Sequence, residues 1–278
     1  MVYMAWTASK MVDNDYIWWS SFDGTAWSPQ TPFTDGHSSS SPALANLFGA
    51  RYMAWKGVDD ETLRWSSFDG NTWSPAERLT DRQSSNSPAL AGNYLGTYMA
   101  WKGVNDATLR WSQLTSKGWT PPESLTDGQS DTNPALAGRA GLLYMAWKEV
   151  NNETLSWSSF DGNTWSPAER LTDRQSSNSP ALAVNLNGVY MAWTASQMAD
   201  NNYIWWSRFD GNTWSPPEPL TDRQSSTSPA LATDNDQLYM AWKGADNDYI
   251  WWSSFDGKVW SPPESLVDGR SSNGPALS

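Results

Sequence analysis

The amino-acid sequence predicts an all-β protein, a six-bladed β-propeller built from four-stranded antiparallel blades. Three observations carry that prediction. The tetrapeptide Tyr-Met-Ala-Trp recurs at Tyr3, Tyr52, Tyr98, Tyr144, Tyr190 and Tyr239, at spacings of 46 or 49 residues. Pro-Ala-Leu recurs in step with it, at Pro42, Pro88, Pro134, Pro180, Pro229 and Pro275. No stretch has helical periodicity, and aromatic and β-branched residues fill the slots between turn signals. A repeat of this length holding several short strands is the mark of a propeller blade. Residues 1–278 therefore read as one domain of six repeats, each of about 46–49 residues.

The unit from Ser179 to Arg223 shows how each strand is placed. Residues 179–184 form a short apolar run, and Asn187-Gly188 is a type I′ turn signal leading into Val189 to Trp193. A longer loop reaches Tyr203 to Ser207, and Asp210-Gly211 then turns the chain into Trp214-Ser-Pro, read as the fourth strand. The chain opens on the second strand of a blade and finishes on Gly274-Pro-Ala-Leu-Ser278, a first strand. The C-terminal strand is thus expected to complete the blade opened at Tyr3, which removes two free edges from the ring. Pro29, Pro75, Pro121, Pro167, Pro216 and Pro262 are expected on the outermost strand, where a residue without an N–H blocks further pairing.

Composition excludes several functions. The net charge is −12, with 18 basic against 30 acidic residues, so phosphate-rich partners are repelled and neither nucleic acid nor an anionic membrane is expected. The absence of cysteine removes disulfides, thiolate metal sites and Cys nucleophiles. A single His leaves little for a metal centre, and no cofactor or metal is expected. The first residues carry no basic and apolar leader, and no apolar run approaches the ~18–20 residues of a membrane span. The expectation is a soluble protein without membrane insertion, cytoplasmic or released without a recognisable signal peptide.

Tryptophan is the unusual residue, with 21 copies, of which 18 fall in three columns repeated through all six units. Trp19, Trp27 and their counterparts most simply fill the space between blades. Trp6, Trp55, Trp101, Trp147, Trp193 and Trp242 end a strand beside a loop, where an indole can serve either packing or a ligand. The remaining three, Trp18, Trp205 and Trp251, stand where other repeats have Arg64, Arg110 and Ser156. Tyr16, Tyr203 and Tyr249 precede them by two residues, so each Tyr–Trp pair shares one strand face. These pairs belong to adjacent blades and define an aromatic half of the ring. They are either alternative packing inherited by duplication or a second class of pocket.

Polar positions repeat as well. An Asp recurs at Asp35, Asp81, Asp127, Asp173, Asp222 and Asp268, read as part of the loop into the next blade. Two residues on stands a planar hydrogen-bonding side chain: His37, Gln83, Gln129, Gln175, Gln224 or Arg270. Such groups beside an indole suit a sugar, whose hydroxyls need directional partners and whose C–H face lies on an aromatic ring. The plainer reading is that the Asp closes an Asx turn. The segment Ser-Phe-Asp-Gly-Asn-Thr-Trp is similar to the Asp-box turn of sialidases, one residue shorter. Asp23, Asp69, Asp161, Asp210 and Asp256 therefore read as structural.

The combined pattern of Asp-Gly-x-x-Trp-Ser, Ser-x-x-Pro-Ala and Tyr-Met-Ala-Trp resembles the Trp-rich tandem repeats of bacterial and fungal β-propeller lectins, over essentially the whole chain. The resemblance implies a multivalent carbohydrate-binding protein, with sugars such as fucose or N-acetylglucosamine in pockets at or between blades. Its partners would be glycans on cell surfaces or glycoproteins. The Trp6 column, the Tyr–Trp pairs and the His37/Gln83/Arg270 column are the candidate carbohydrate-binding residues. A protein-interaction scaffold is the alternative, and a sialidase-like glycoside hydrolase is a further one. An enzyme of that kind needs one asymmetric acid–base site. The departures from the repeat, Lys10, His37, Lys117, Arg139 and Glu149, are scattered, so no enzyme activity is expected.

Overall fold

A computed structural model describes residues 1–8, 15–196 and 202–278. Lys10 lies outside these residues. The chain forms six sheets arranged as a ring of four-stranded antiparallel blades. In the fifth blade the strands run from axis to rim as Ala181–Asn185, Gly188–Thr194, Tyr203–Phe209 and Glu218–Gln224. The third blade adds a two-residue strand, Gly118–Trp119, paired with Thr108–Thr115. The innermost strands of adjacent blades lie against one another around the axis. Closure follows the expectation. Ala276–Leu277 pairs with Val2–Thr7 as the innermost strand of the first blade, and Tyr3 and Ser278 exchange two backbone hydrogen bonds of 2.9 Å.

Each blade is buried on both faces by its neighbours, which explains its composition. The Met-Ala pair of the repeated tetrapeptide is fully covered in all but name, with Met4, Met53, Met99, Met145, Met191 and Met240 at 0% exposure. The third-strand indole of one blade packs on the aromatic residues of the next. Trp111 lies 4.9 Å from Phe160 and 6.0 Å from Trp165, and Trp252 lies 4.9 Å from Phe22 and 5.8 Å from Trp27.

Three local expectations need correction. The outermost strand of the fifth blade is Glu218–Gln224, whereas Trp214 makes only an isolated bridge to Phe209. Pro216 and Pro217 cannot donate to the ladder, so pairing stops at Trp214 and resumes beyond them. Pro216 and its counterparts accordingly occupy an unpaired gap before the outermost strand rather than the strand itself. The pairing of Asn185 with Gly188 makes Leu186-Asn187 the hairpin loop, so Asn187-Gly188 is not its centre. Gly188 instead opens the second strand at φ 142°, where a Cβ would meet the Phe209 carbonyl oxygen at 2.2 Å. Finally, the Asp35 to His37 column lies on the end of the outermost strand, not in a loop. Tyr16 pairs with His37 and Ile17 with Phe33, so Asp35 rides in an irregular bulge.

The turn aspartates hold their structural role. Asp69 Oδ1 accepts hydrogen bonds from the backbone N–H groups of Asn71 and Thr72, both at 2.7 Å. Asp23, Asp161, Asp210 and Asp256 make the same pair. These backbone donors hold all five carboxyls below the ordinary aspartate range. The stabilisation is complete above about pH 4 and is lost as pH falls through that value toward the lower folded-state one. Melting followed by circular dichroism should show a midpoint that drops below about pH 4. Asn at all five positions should make that drop shallower, and an unchanged drop would contradict the assignment.

Ring closure makes a second prediction. Removing residues 275–278 uncovers Met4 and takes Leu277 out of the core. Burial of a leucine side chain alone contributes ~1.5–3 kcal/mol, so the truncated chain should lose at least about 2 kcal/mol in urea unfolding.

Candidate functional site: the clefts between blades

Every interface brings the outermost strand of one blade against the turn and inner strands of the next. What fills it depends on the residue between the Asp and Gln columns. In the second, fourth and fifth blades that residue is arginine, and the side chains of Arg82, Arg174 and Arg223 are only 3% exposed. Each crosses to the next blade. Arg174 Nη2 donates to Ser207 Oγ at 2.9 Å and to the Ser215 carbonyl at 2.7 Å, while its Nη1 binds Asp173. Arg223 does the same with Ser253 and Ser261, and Arg82 with Ser112 and Thr120. Burial pulls the guanidinium pKa values down, and the adjacent aspartates pull them back up.

The first, third and sixth blades have glycine there: Gly36, Gly128 and Gly269. In the first blade Phe33 replaces the leucine of other blades. Its ring packs 5.3 Å from Trp55 and 5.9 Å from Trp73, filling the first–second interface. The other two interfaces are open. The sixth–first cleft holds about 750 Å³ and is walled by Trp18, Trp27 and Trp252, with Gln30, Glu264 and Arg270 among its polar groups. The third–fourth cleft holds about 420 Å³ between Trp111, Trp147 and Trp165, with Glu123, Asp127 and Asn163. The indole N–H groups of Trp18, Trp27 and Trp165 have no protein partner.

The candidate residues from the sequence scatter over this framework. Trp6, Trp55, Trp101, Trp147, Trp193 and Trp242 are at most 2% exposed, so this column backs the clefts rather than offering a face. Trp18 stands in the open sixth–first cleft, whereas Trp205 and Trp251 pack against the cores of closed interfaces. Tyr16 contacts the ring of His37 at 4.0 Å, and Arg270 donates to Tyr249 Oη at 3.0 Å. Tyr203 pairs in register with Gln224. Gln83, Gln129 and Gln175 are exposed strand ends opposite Thr62, Thr108 and Thr154. Trp27, Trp111, Trp165 and Trp252 entered as packing residues and prove to line the open clefts. The signal that marks which clefts are open is the Arg/Gly choice after the recurring Asp, read together with the Leu/Phe choice three residues before that Arg or Gly.

The remaining departures are structural. Glu149 binds Arg170 at 2.8 Å and accepts from Asn152 and Ser156, Arg139 donates to the Asn185 carbonyl, and Lys117 sits in an exposed turn. The axial mouth is lined chiefly by Ser, Asn and Pro, without an aromatic side chain. Among the described residues no group of acidic or histidine side chains is arranged to hold a metal ion, and no helix is long and apolar enough to cross a membrane.

No protein-family profile and no curated protein sequence matches the chain. Solved structures do. The lectin of Aleuria aurantia, as an N224Q mutant in complex with α-methyl-L-fucoside, is 16% identical with a TM-score of 0.68, covering 94% of this chain and 90% of its own. A nidogen/laminin complex is similar at 13% identity and TM-score 0.63, covering 100% and 98%. The Hadza microbial sialidase Hz136 is similar at 16% identity and TM-score 0.60, covering 92% of this chain and 61% of that one. Likeness at these identities establishes the fold, which hosts a lectin, a protein-binding module and a hydrolase alike.

The arginine interfaces are testable by urea unfolding. Arg174→Ala removes charge-assisted bonds between blades and should cost on the order of 1.5–3 kcal/mol. Arg110→Ala removes a half-exposed pair with Asp106 and should cost less than about 1 kcal/mol.

Proposed function

We propose that the protein binds carbohydrate in clefts between adjacent blades, without acting on it chemically. The sixth–first cleft carries the proposal. It combines indole walls from Trp18, Trp27 and Trp252 with the polar side chains of Gln30, Glu264 and Arg270. A sugar ring needs both: aromatic surface against its C–H face, and fixed donors and acceptors around its hydroxyls. The fucoside complex of the structurally similar Aleuria lectin supports this reading. In it, Trp6, Trp147 and Arg270 are the members of the repeated candidate columns that line the open clefts. The ligands are then glycans on cell surfaces or glycoproteins.

Each cleft would bind weakly, about −4 kcal/mol for a millimolar site. Clefts fixed on one rigid ring act together on a dense glycan surface, and linkage of this kind raises apparent affinity ~10²–10⁴-fold.

A protein-binding scaffold is the second reading, and one observation favours it. Phe48, Tyr94, Leu95, Leu142 and Leu186 are exposed on successive inner hairpin turns, with Phe48 stacked on Tyr94 at 6.1 Å.

A glycan array read at low and high protein density separates the two. Carbohydrate binding predicts a defined glycan class that free sugar displaces, and Trp18→Ala should weaken it about tenfold, equivalent to ~1.4 kcal/mol. A blank array, with capture of a protein ligand lost on Phe48→Ser and Tyr94→Ser, would favour the scaffold.

A further inference from the structure

We propose that only two of the six interfaces accept a ligand, the third–fourth and the sixth–first, and that Arg82, Arg174, Arg223 and Phe33 are internal occupants that close the others. This inference rests on the carbohydrate reading and fixes its valency and its sites.

The repeat makes the comparison internal. In the arginine interfaces, Nη2 takes up an acceptor pair on the next blade: a buried Ser Oγ and the carbonyl eight residues later. Ser207 with Ser215 is one such pair, and Ser253 with Ser261 is another. The open clefts keep the same pair without the arginine. Ser158 Oγ lies 2.7 Å from the Ser166 carbonyl, and Ser20 Oγ lies 2.8 Å from the Ser28 carbonyl. Ser158, Ser166 and Ser28 line the open clefts. A ligand hydroxyl reaching this pair would donate where the guanidinium N–H donates elsewhere. Phe33 closes its interface differently, by setting its ring edge-on to Trp55 and tilted against Trp73.

Glycine is what keeps the two clefts open. Neither Gly128 nor Gly269 has a positive φ, so the backbone does not require glycine. A Cβ on Gly128 would first meet Leu125 Cδ2 at 2.4 Å, and one on Gly269 would meet Leu266 Cδ2 at 2.6 Å. Leu125 Cγ and Leu266 Cγ follow at 2.8 and 2.9 Å, so the leucine has to turn aside for any side chain at this position. Leu79, Leu171 and Leu220 occupy the same position in the arginine-bearing blades, so leucine and arginine coexist there.

The two clefts differ in size and lining. They are three interfaces apart in a ring of six, hence on opposite sides. The sixth–first cleft is larger and has Trp18 where the third–fourth has Ser156, so it takes the more extended glycan. A separate groove of about 730 Å³ at the second–third interface, lined by Tyr52, Trp65 and Glu77 and not by Arg82, arises where Leu114 replaces the phenylalanine of other blades. It lacks the serine–carbonyl pair among its walls and is not counted as a site.

The test uses methyl α-L-fucoside, or the methyl glycoside of whichever sugar an array selects. Crystals soaked in it should show one molecule in each open cleft and none beside Arg82, Arg174, Arg223 or Phe33. Gly128→Arg should leave only the sixth–first site, and Gly269→Arg only the third–fourth. The double variant should lose both and bind a dense array at least ~100-fold more weakly. Leu125→Phe and Leu266→Phe transplant the other natural plug and serve if an arginine variant fails to fold. Sugar in an arginine-closed interface, in the Trp65 groove, or retained by the folded double variant would overturn the assignment while leaving the carbohydrate reading intact. A wild-type protein blank on the array would overturn both.

Discussion

The ring depends on one contact made at every interface, an indole from the third strand of one blade set against aromatic rings of the next. A flat sheet has two faces to bury, and a propeller blade has only its neighbours to bury them against. The gap widens toward the rim, so wide side chains are needed there. Trp157 meets Phe209 at 4.8 Å and Trp214 at 5.6 Å, and Trp206 repeats the arrangement with Phe255 and Trp260. A chain only 38% hydrophobic can hold such a structure because 21 of its residues are tryptophan. The second–third interface shows the constraint by exception. With Leu114 in place of phenylalanine, Trp65 keeps its contact to Trp119 at 5.8 Å and a groove opens beside it.

The architecture was legible because it is written six times. Repeat length, strand count and the closing strand follow from patterns that a single unit would not make convincing. What the sequence hid was local. Whether Trp214-Ser-Pro forms a strand or a bridge depends on the unpaired N–H positions around proline, and the motif does not encode that pairing. Whether Asp35 to His37 form a loop or a bulged strand end depends on register. The site was less legible still. Trp6 and Trp18 both reach the sixth–first cleft, yet Trp6 is 1% exposed and backs it while Trp18 forms a wall. Only burial separates them, and burial is decided by the neighbouring blade. The variation that matters, Gly36, Arg82, Gly128, Arg174, Arg223 and Gly269, was present in plain letters. Its meaning required knowing that the position points across an interface.

One residue position thus does opposite work in different blades. As arginine it is part of the core: desolvated, but supplied with an aspartate, a serine hydroxyl and a carbonyl that replace the lost water. As Gly128 or Gly269 it leaves that acceptor pair beside a cavity, whereas beside Gly36 the ring of Phe33 takes the space. Internal duplication makes this exchange easy, because the surroundings are copied intact and one or two positions distinguish a sealed interface from an available one. The near-identity of the second and fourth repeats extends to the plug, since Arg82 and Arg174 both close the interface that follows.

The two open clefts differ in when they come into being. The third–fourth cleft is drawn from residues 111 to 168, a contiguous stretch that leaves the ribosome within a short interval. The sixth–first cleft joins Trp6, Trp18 and Trp27 to Trp252 and Arg270, so its halves are separated by nearly the whole chain. Contacts of such sequence separation form late, after the loop between them has closed. The larger cleft thus depends on the closing of the ring, whereas the smaller one is complete within two consecutive repeats.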